Sequence, residues 1–210
     1  MTGPRWPRGR PGRVVQLLGG LVVSATGIWL TIRAALGVAP WEVLHIGLAD
    51  RLGVGVGTAS IAVGALLVAV VTALGVRPGI GTVLNVVTIG VVLNALLASP
   101  LLRTLPDAGV LPRLAVLLLG VAVFAVGCAT YVGAHLGPGP RDGLMVALHL
   151  RGGLRIGTAR VLAEGAGLGL GWALGGPVGA GTVLFVLVAG PAVELAFALL
   201  RLTPTRAPLT

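Results

Sequence analysis

Arg160 and Glu164 stand four residues apart in a stretch otherwise made of alanine, glycine, valine and leucine. On a helix they share a face, where they could form an ion pair or hold a proton or cation. Asn94 and Glu194 each follow a glycine, Gly90 or Gly190, by four residues; with Asn85 they are the other polar groups inside apolar sequence. An ionisable group at membrane depth costs about 2.5–3.5 kcal/mol on insertion scales and faces protein or water. Asn94 and Glu194 therefore fit either a shared polar site or bonds to a neighbouring helix near its end. Glu42 and Asp142 each come two residues after a proline, Pro40 and Pro140. That order suits a helix start, with proline at the first position and an acid against the positive end of the dipole. Arg141 adjoins Asp142 but must point elsewhere on a helix, free to contact an anion or a lipid phosphate. Glu164, Arg160, Glu194, Asn94, Arg141, Asp142 and Glu42 are the candidate substrate- or ion-binding set.

Other chemistries are excluded by spacing. His45, His135 and His149 lack metal-ligand spacing and suit interfacial roles, and Cys128 suits packing. Serines and threonines fall at helix starts, so no nucleophile triad can be assembled, and neither paired aspartates nor a Ser/Lys dyad occurs. Gly53-x-Gly55-x-Gly57 has no preceding strand and is no phosphate loop. The chain reads as non-enzymatic, with no catalytic residue, no metal and no cofactor.

The elements that carry these residues must be membrane helices. Of 210 residues, 56% are hydrophobic and only 10% charged, against about 25% charged in a soluble domain. Apolar runs occupy 14–34, 58–76, 81–99, 113–133, 157–175 and 181–200, each long enough to span a bilayer. Thr58 and Thr158 are expected N-caps. Two shorter segments, 41–52 and 141–151, follow Gly/Pro-rich turns and would cross about half the hydrocarbon core. They read either as helices along the interface or as re-entrant half-helices. Gly165, Gly167, Gly169 and Gly171 give two overlapping Gly-x-x-x-Gly pairs, of which Gly165 and Gly169 are expected against a neighbouring backbone.

All fifteen basic residues are arginine, giving a net charge of +9. They are scattered between apolar runs without interleaved aromatics, which argues against nucleic acid and for topology signals. Arg5, Arg8, Arg10 and Arg13 could begin a secretory signal. The length of the run after them, and its later counterpart, favour an uncleaved helix. With the N-terminus inside, eleven arginines are cytoplasmic and only Arg33, Arg51, Arg103 and Arg113 external. Both termini are therefore expected in the cytoplasm.

The sequence repeats itself at an offset of 100. Leu36-Gly37-x-x-Pro40-x-Glu42-x-Leu44 recurs as Leu136-Gly137-x-x-Pro140-x-Asp142-x-Leu144, and Gly57-Thr58-Ala59 as Gly157-Thr158-Ala159. Gly79-x-Gly81-Thr82-Val83-Leu84 recurs as Gly179-x-Gly181-Thr182-Val183-Leu184. Arg13, Gly20 and Gly27 match Arg113, Gly120 and Gly127. With three spans in each copy, the copies must lie in opposite orientations, an arrangement shared with many secondary transporters. The organisation is then a basic cytoplasmic tail (1–12), a first three-helix repeat (13–100), a connecting loop (101–112), a second repeat (113–201) and a cytoplasmic tail (202–210).

Gly137-Pro138-Gly139-Pro140-Arg141-Asp142-Gly143-Leu144-Met145, with Ala39-Pro40-Trp41-Glu42-Val43 and Pro78-Gly79-Ile80-Gly81-Thr82, resembles the YczE family of bacterial integral membrane proteins, related to the YitT group. The resemblance covers about residues 13–200. That family often has aspartate where this chain has Glu42. The resemblance implies a multi-pass protein of the bacterial cytoplasmic membrane and says little of chemistry. The expected fold is an all-α bundle of about six spans in two inverted repeats, each with a short extra helix. The expected function is a small transporter or permeation protein with its site at the repeat interface; the alternative is a non-transporting accessory or scaffold protein binding lipid or another membrane protein. Expected partners are membrane lipids, a small-molecule or ion substrate and a homo-oligomeric neighbour.

Overall fold

The computed structural model describes residues 9–202 apart from 138, and at Ile156 the backbone only. Arg5, Arg8, Arg206 and the Pro138 of the family signature lie outside the described residues. Eight α-helices and no strand occur among them: α1 Arg10–Ala34, α2 Pro40–Leu52, α3 Val56–Ala73, α4 Ile80–Ala98, α5 Val110–Val132, α6 Pro140–Gly152, α7 Ile156–Ala173 and α8 Ala180–Leu200. A single 3-10 turn, Leu105–Asp107, lies between α4 and α5. Five helices, α1, α3, α4, α5 and α8, are long and apolar enough to cross a membrane. The sixth expected span, α7, equals α3 in length but is less apolar, because Arg160, Glu164 and its glycines replace aliphatic side chains. Thr58 and Thr158 are not N-caps. The helices start earlier, after Gly55 and Arg155, because the extended backbone ends there and the threonines already stand in the first turn.

α1 and α5 form the central pair and run antiparallel: Gly20 lies against Gly127 and Tyr131, and Gly27 against Gly120 and Phe124. Lipid offers no hydrophobic drive for helices to associate, so close backbone approach at small residues supplies the packing. A methyl at any of these four glycines would overlap the opposite helix. Each end of the pair is closed by an arginine from the start of the other helix. Arg13 donates from Nε to Ala134 O (2.7 Å) and from Nη2 to His135 O (2.6 Å). Arg113 does the same to Ala34 O (2.9 Å) and Ala35 O. These cations satisfy C-terminal carbonyls that the helix cannot bond itself.

The same reciprocity governs the loops. Gly181 N–H donates to Leu36 O (2.7 Å) and Gly81 N–H to Leu136 O (2.8 Å), so the turn after α1 docks on the start of α8, and the turn after α5 on the start of α4. Gly37 and Gly137 have φ of 105° and 128° and lie hard against Gly179 and Gly79. Only glycine combines that backbone with that approach. Arg51 Nε donates to Leu174 O (3.2 Å) and Arg151 Nε to Leu74 O (2.9 Å), capping α7 and α3 respectively.

A polar centre where two short helices meet

α2 packs alongside α7 in parallel. Trp41 lies on Gly167, Leu44 on Gly171 and Gly47 near Leu174. Trp41 thus sits about 9 Å along the axis inside the Ala173 end of α7, so α2 begins within the bundle and rises to its rim. An interfacial helix keeps one face in water, whereas Trp41, Glu42, Val43, Leu44 and His45 are buried in succession. The interfacial reading of 41–52, and of His45 with it, is corrected: the N-terminal half of α2 is inside. α6 stands likewise beside α3, with Gly143 on Val71 and Arg151 against Gly75.

The N-terminal turns of α2 and α6 meet. Arg141 Nη2 donates to Glu42 Oε1 at 2.6 Å, the one ion pair among the described residues. The Glu42 side chain is 2% exposed and that of Arg141 29%. Arg141 also lies over the Trp41 ring, with Cζ 5.5 Å from the centroid, within reach of cation–π attraction. A bidentate contact is absent, so the remaining guanidinium N–H groups are available to a further acceptor.

Asp142 stands in the first turn of α6, where its charge meets the positive end of the helix dipole. Gly139 leaves a small recess. A Cβ there would stand 3.4 Å from Asp142 Oδ2, 3.5 Å from the Tyr131 hydroxyl and 3.7 Å from Asn85 Nδ2. Cys128 packs against the cluster that holds Tyr131, Leu17 and Leu21. At the offset of 100 the counterparts of Gly139 and Asn85 are Ala39 and Phe185, which belong to an apolar cluster with Val121 and Ala189. The polar groups therefore gather round α6 and leave the start of α2 apolar on that flank.

Glu164 is half-buried and makes no ion pair with Arg160, which is exposed. The charged groups around Glu164 come from α2 and α6 as well as from its own helix: Arg141, Glu42, Asp142 and Arg160. In place of an intrahelical pair, ionisable groups of α2, α6 and α7 stand near one another, with Glu42–Arg141 the ion pair among them. Asn94 and Glu194 are not brought together. Asn94 bonds the start of α3, accepting from Gly57 N–H (2.8 Å) and donating to Thr58 Oγ1 (2.9 Å), while Glu194 is exposed on α8.

Gly165 and Gly169 face open space, contrary to the register expected of them. Gly167 and Gly171 make the close contacts with α2, because the strict Gly-x-Gly alternation puts glycine on two faces and only one meets a helix. Sequence reasoning missed Trp41, Tyr131 and the contact between Glu42 and Arg141. The signal was present in the sequence match at an offset of 100, in which 41–42 and 141–142 are equivalent.

A family profile described as a family of unknown function (DUF6198) matches residues 12–197. The chain is 38% identical to the uncharacterized membrane protein YczE of Bacillus subtilis (strain 168), over 81% of this chain and 79% of that one. It is 34% identical to an uncharacterized protein of Haemophilus influenzae (strain ATCC 51907 / DSM 11121 / KW20 / Rd), over 85% and 80% of the two chains. It is 26% identical to the uncharacterized protein YyaS of Bacillus subtilis (strain 168), over 81% and 85%. No solved structure matches the chain. With apolar helices of spanning length, a profile covering nearly its whole length and a membrane protein among its relatives, the chain is an integral membrane protein of the DUF6198 family, similar to YczE.

Proposed function

We propose that this is a small, non-enzymatic secondary transporter of the bacterial cytoplasmic membrane, built from two inverted repeats with both termini in the cytoplasm. The antiparallel α1/α5 pair and the reciprocal docking of residues 36–37 and 136–137 support the inverted repeat. The observation that carries the transport reading is the Glu42–Arg141 contact, which joins the starts of two half-length helices inside the bundle. Half-helix ends meeting at a repeat interface are where such transporters hold substrate. Arg141 and the Gly139 recess supply donors and acceptors for a small polar solute. Glu164, a half-buried carboxylate outside the Glu42–Arg141 pair, is suited to carry a proton or a small cation.

The test is ligand-dependent thermal stabilisation of the purified protein, followed by flux of each stabilising compound in proteoliposomes. A ligand that binds only the folded state raises its stability by about 2.7 kcal/mol at a hundred times its Kd. A compound whose binding and flux are both lost in Glu42→Gln and Glu164→Gln supports the proposal. One that binds equally well to both variants places the site elsewhere, and one that binds the site without flux favours the accessory reading.

A further inference from the structure

The largest difference in helix packing between the two halves falls on residues that correspond at the offset of 100. α3 and α4 are closed upon each other. The Gly57 and Gly90 backbones touch, Ile61 covers Gly90, Val86 covers Gly64, and Asn94 holds Gly57 and Thr58. Their counterparts on α7 and α8 are Gly157, Gly190, Val161, Val186, Glu164 and Glu194. Gly157 and Gly190 have open space where a Cβ would stand, and Thr158, Val161, Val186 and Glu194 are exposed. The gap leads past Arg160 to Glu164, the position matching Gly64, which Val86 covers in the other half.

We propose that the α7/α8 gap is an open gate and the α3/α4 contact its closed equivalent, and that the protein exchanges the two arrangements. Closure brings Gly157 against Gly190 and Val186 over Glu164, while opening of α3/α4 exposes the polar centre from the opposite side. On the arginine bias, the open gate faces the cytoplasm. Glu194 sets the equilibrium. Asn94 both accepts from a backbone N–H and donates to a threonine, whereas a carboxylate can only accept and resists leaving water. The α7/α8 gate therefore rests open while the α3/α4 gate rests closed. The purpose of this exchange rests on the transport reading, but its occurrence can be tested without any substrate.

In a Cys128→Ala background in membrane vesicles, the pair Thr58→Cys/Asn94→Cys should oxidise readily to a disulfide, read by mass spectrometry. The pair Thr158→Cys/Glu194→Cys should also oxidise, at a lower rate. In the four-cysteine protein each molecule should carry one bridge or the other, not both. If the first pair forms and the second never does, the gap is permanent and the proposal fails. Should the first pair prevent folding, the decision passes to the single variant Val161→Cys, whose native side chain is exposed. Adding Glu194→Asn should slow its maleimide labelling severalfold, and an unchanged rate overturns the proposal. Bridge formation in a protein that moves no solute would retain the two-gate inference and remove the transport reading.

Discussion

Glu42 is an acid with almost no access to solvent, and its stability contribution depends on one guanidinium. Breaking a buried ion pair from one side costs about 3–5 kcal/mol, because the other charge is stranded. The partial exposure of Arg141 places Arg141→Gln toward or above the upper part of that range, since it leaves the fully buried carboxylate alone, and Glu42→Gln below it. The double variant should recover much of the loss, giving a coupling well above about 0.5 kcal/mol in a double-mutant cycle of detergent melts. The same cycle on Arg160 and Glu164 should return a coupling near zero. The reversal of these two pairs shows where residue-level reading stops. A spacing of four residues is visible along the chain, whereas a contact between residues 99 apart exists only once two half-helices have been packed end to end. The acids at helix starts, by contrast, were legible because proline and the dipole are local.

At the scale of elements, six of the eight helices follow from hydrophobic runs, and their ends differ from those runs by a few residues. The register of α7 does not follow, because Gly165, Gly167, Gly169 and Gly171 offer two equally small faces. The face that packs is chosen by Trp41 and Leu44 of α2. Gly171→Leu should therefore overlap the α2 backbone and abolish the monodisperse gel-filtration peak. Gly169→Leu, which points into open space, should elute like the parent. Comparable loss in both would mean that a second surface covers α7 in the membrane. α2 and α6 were legible as short helices but not as buried ones. Their amphipathic composition suits a membrane surface as well as a polar centre, and burial is decided by the helices around them.

For the whole molecule, the offset-100 match is mirrored in contacts at equivalent positions, none of which the sequence foretold: Arg13 and Arg113 each bond the end of the other's helix, Arg51 and Arg151 cap α7 and α3, and Gly81 and Gly181 donate to Leu136 and Leu36. What the match could not show is the difference between the halves, because packing, unlike identity, need not repeat. Topology is the prediction at this scale. A periplasm-dependent reporter fused after residue 105 should be active and one fused after residue 210 inactive. Activity at 210 would remove both the even number of crossings and the inverted arrangement.

The crossed docking of residues 36 and 136 onto α8 and α4 also sets an order for biogenesis. The first half leaves the ribosome with the Gly81 N–H at the start of α4 lacking its acceptor, Leu136, and with the carbonyl of Leu36 lacking its donor. Each half carries a surface that the other completes, so neither is expected to mature alone. Chains cut between residues 104 and 108 and produced together should assemble into a stable complex, while either fragment alone should be degraded. A fragment that accumulates alone as a homodimer would show that one half can serve both roles.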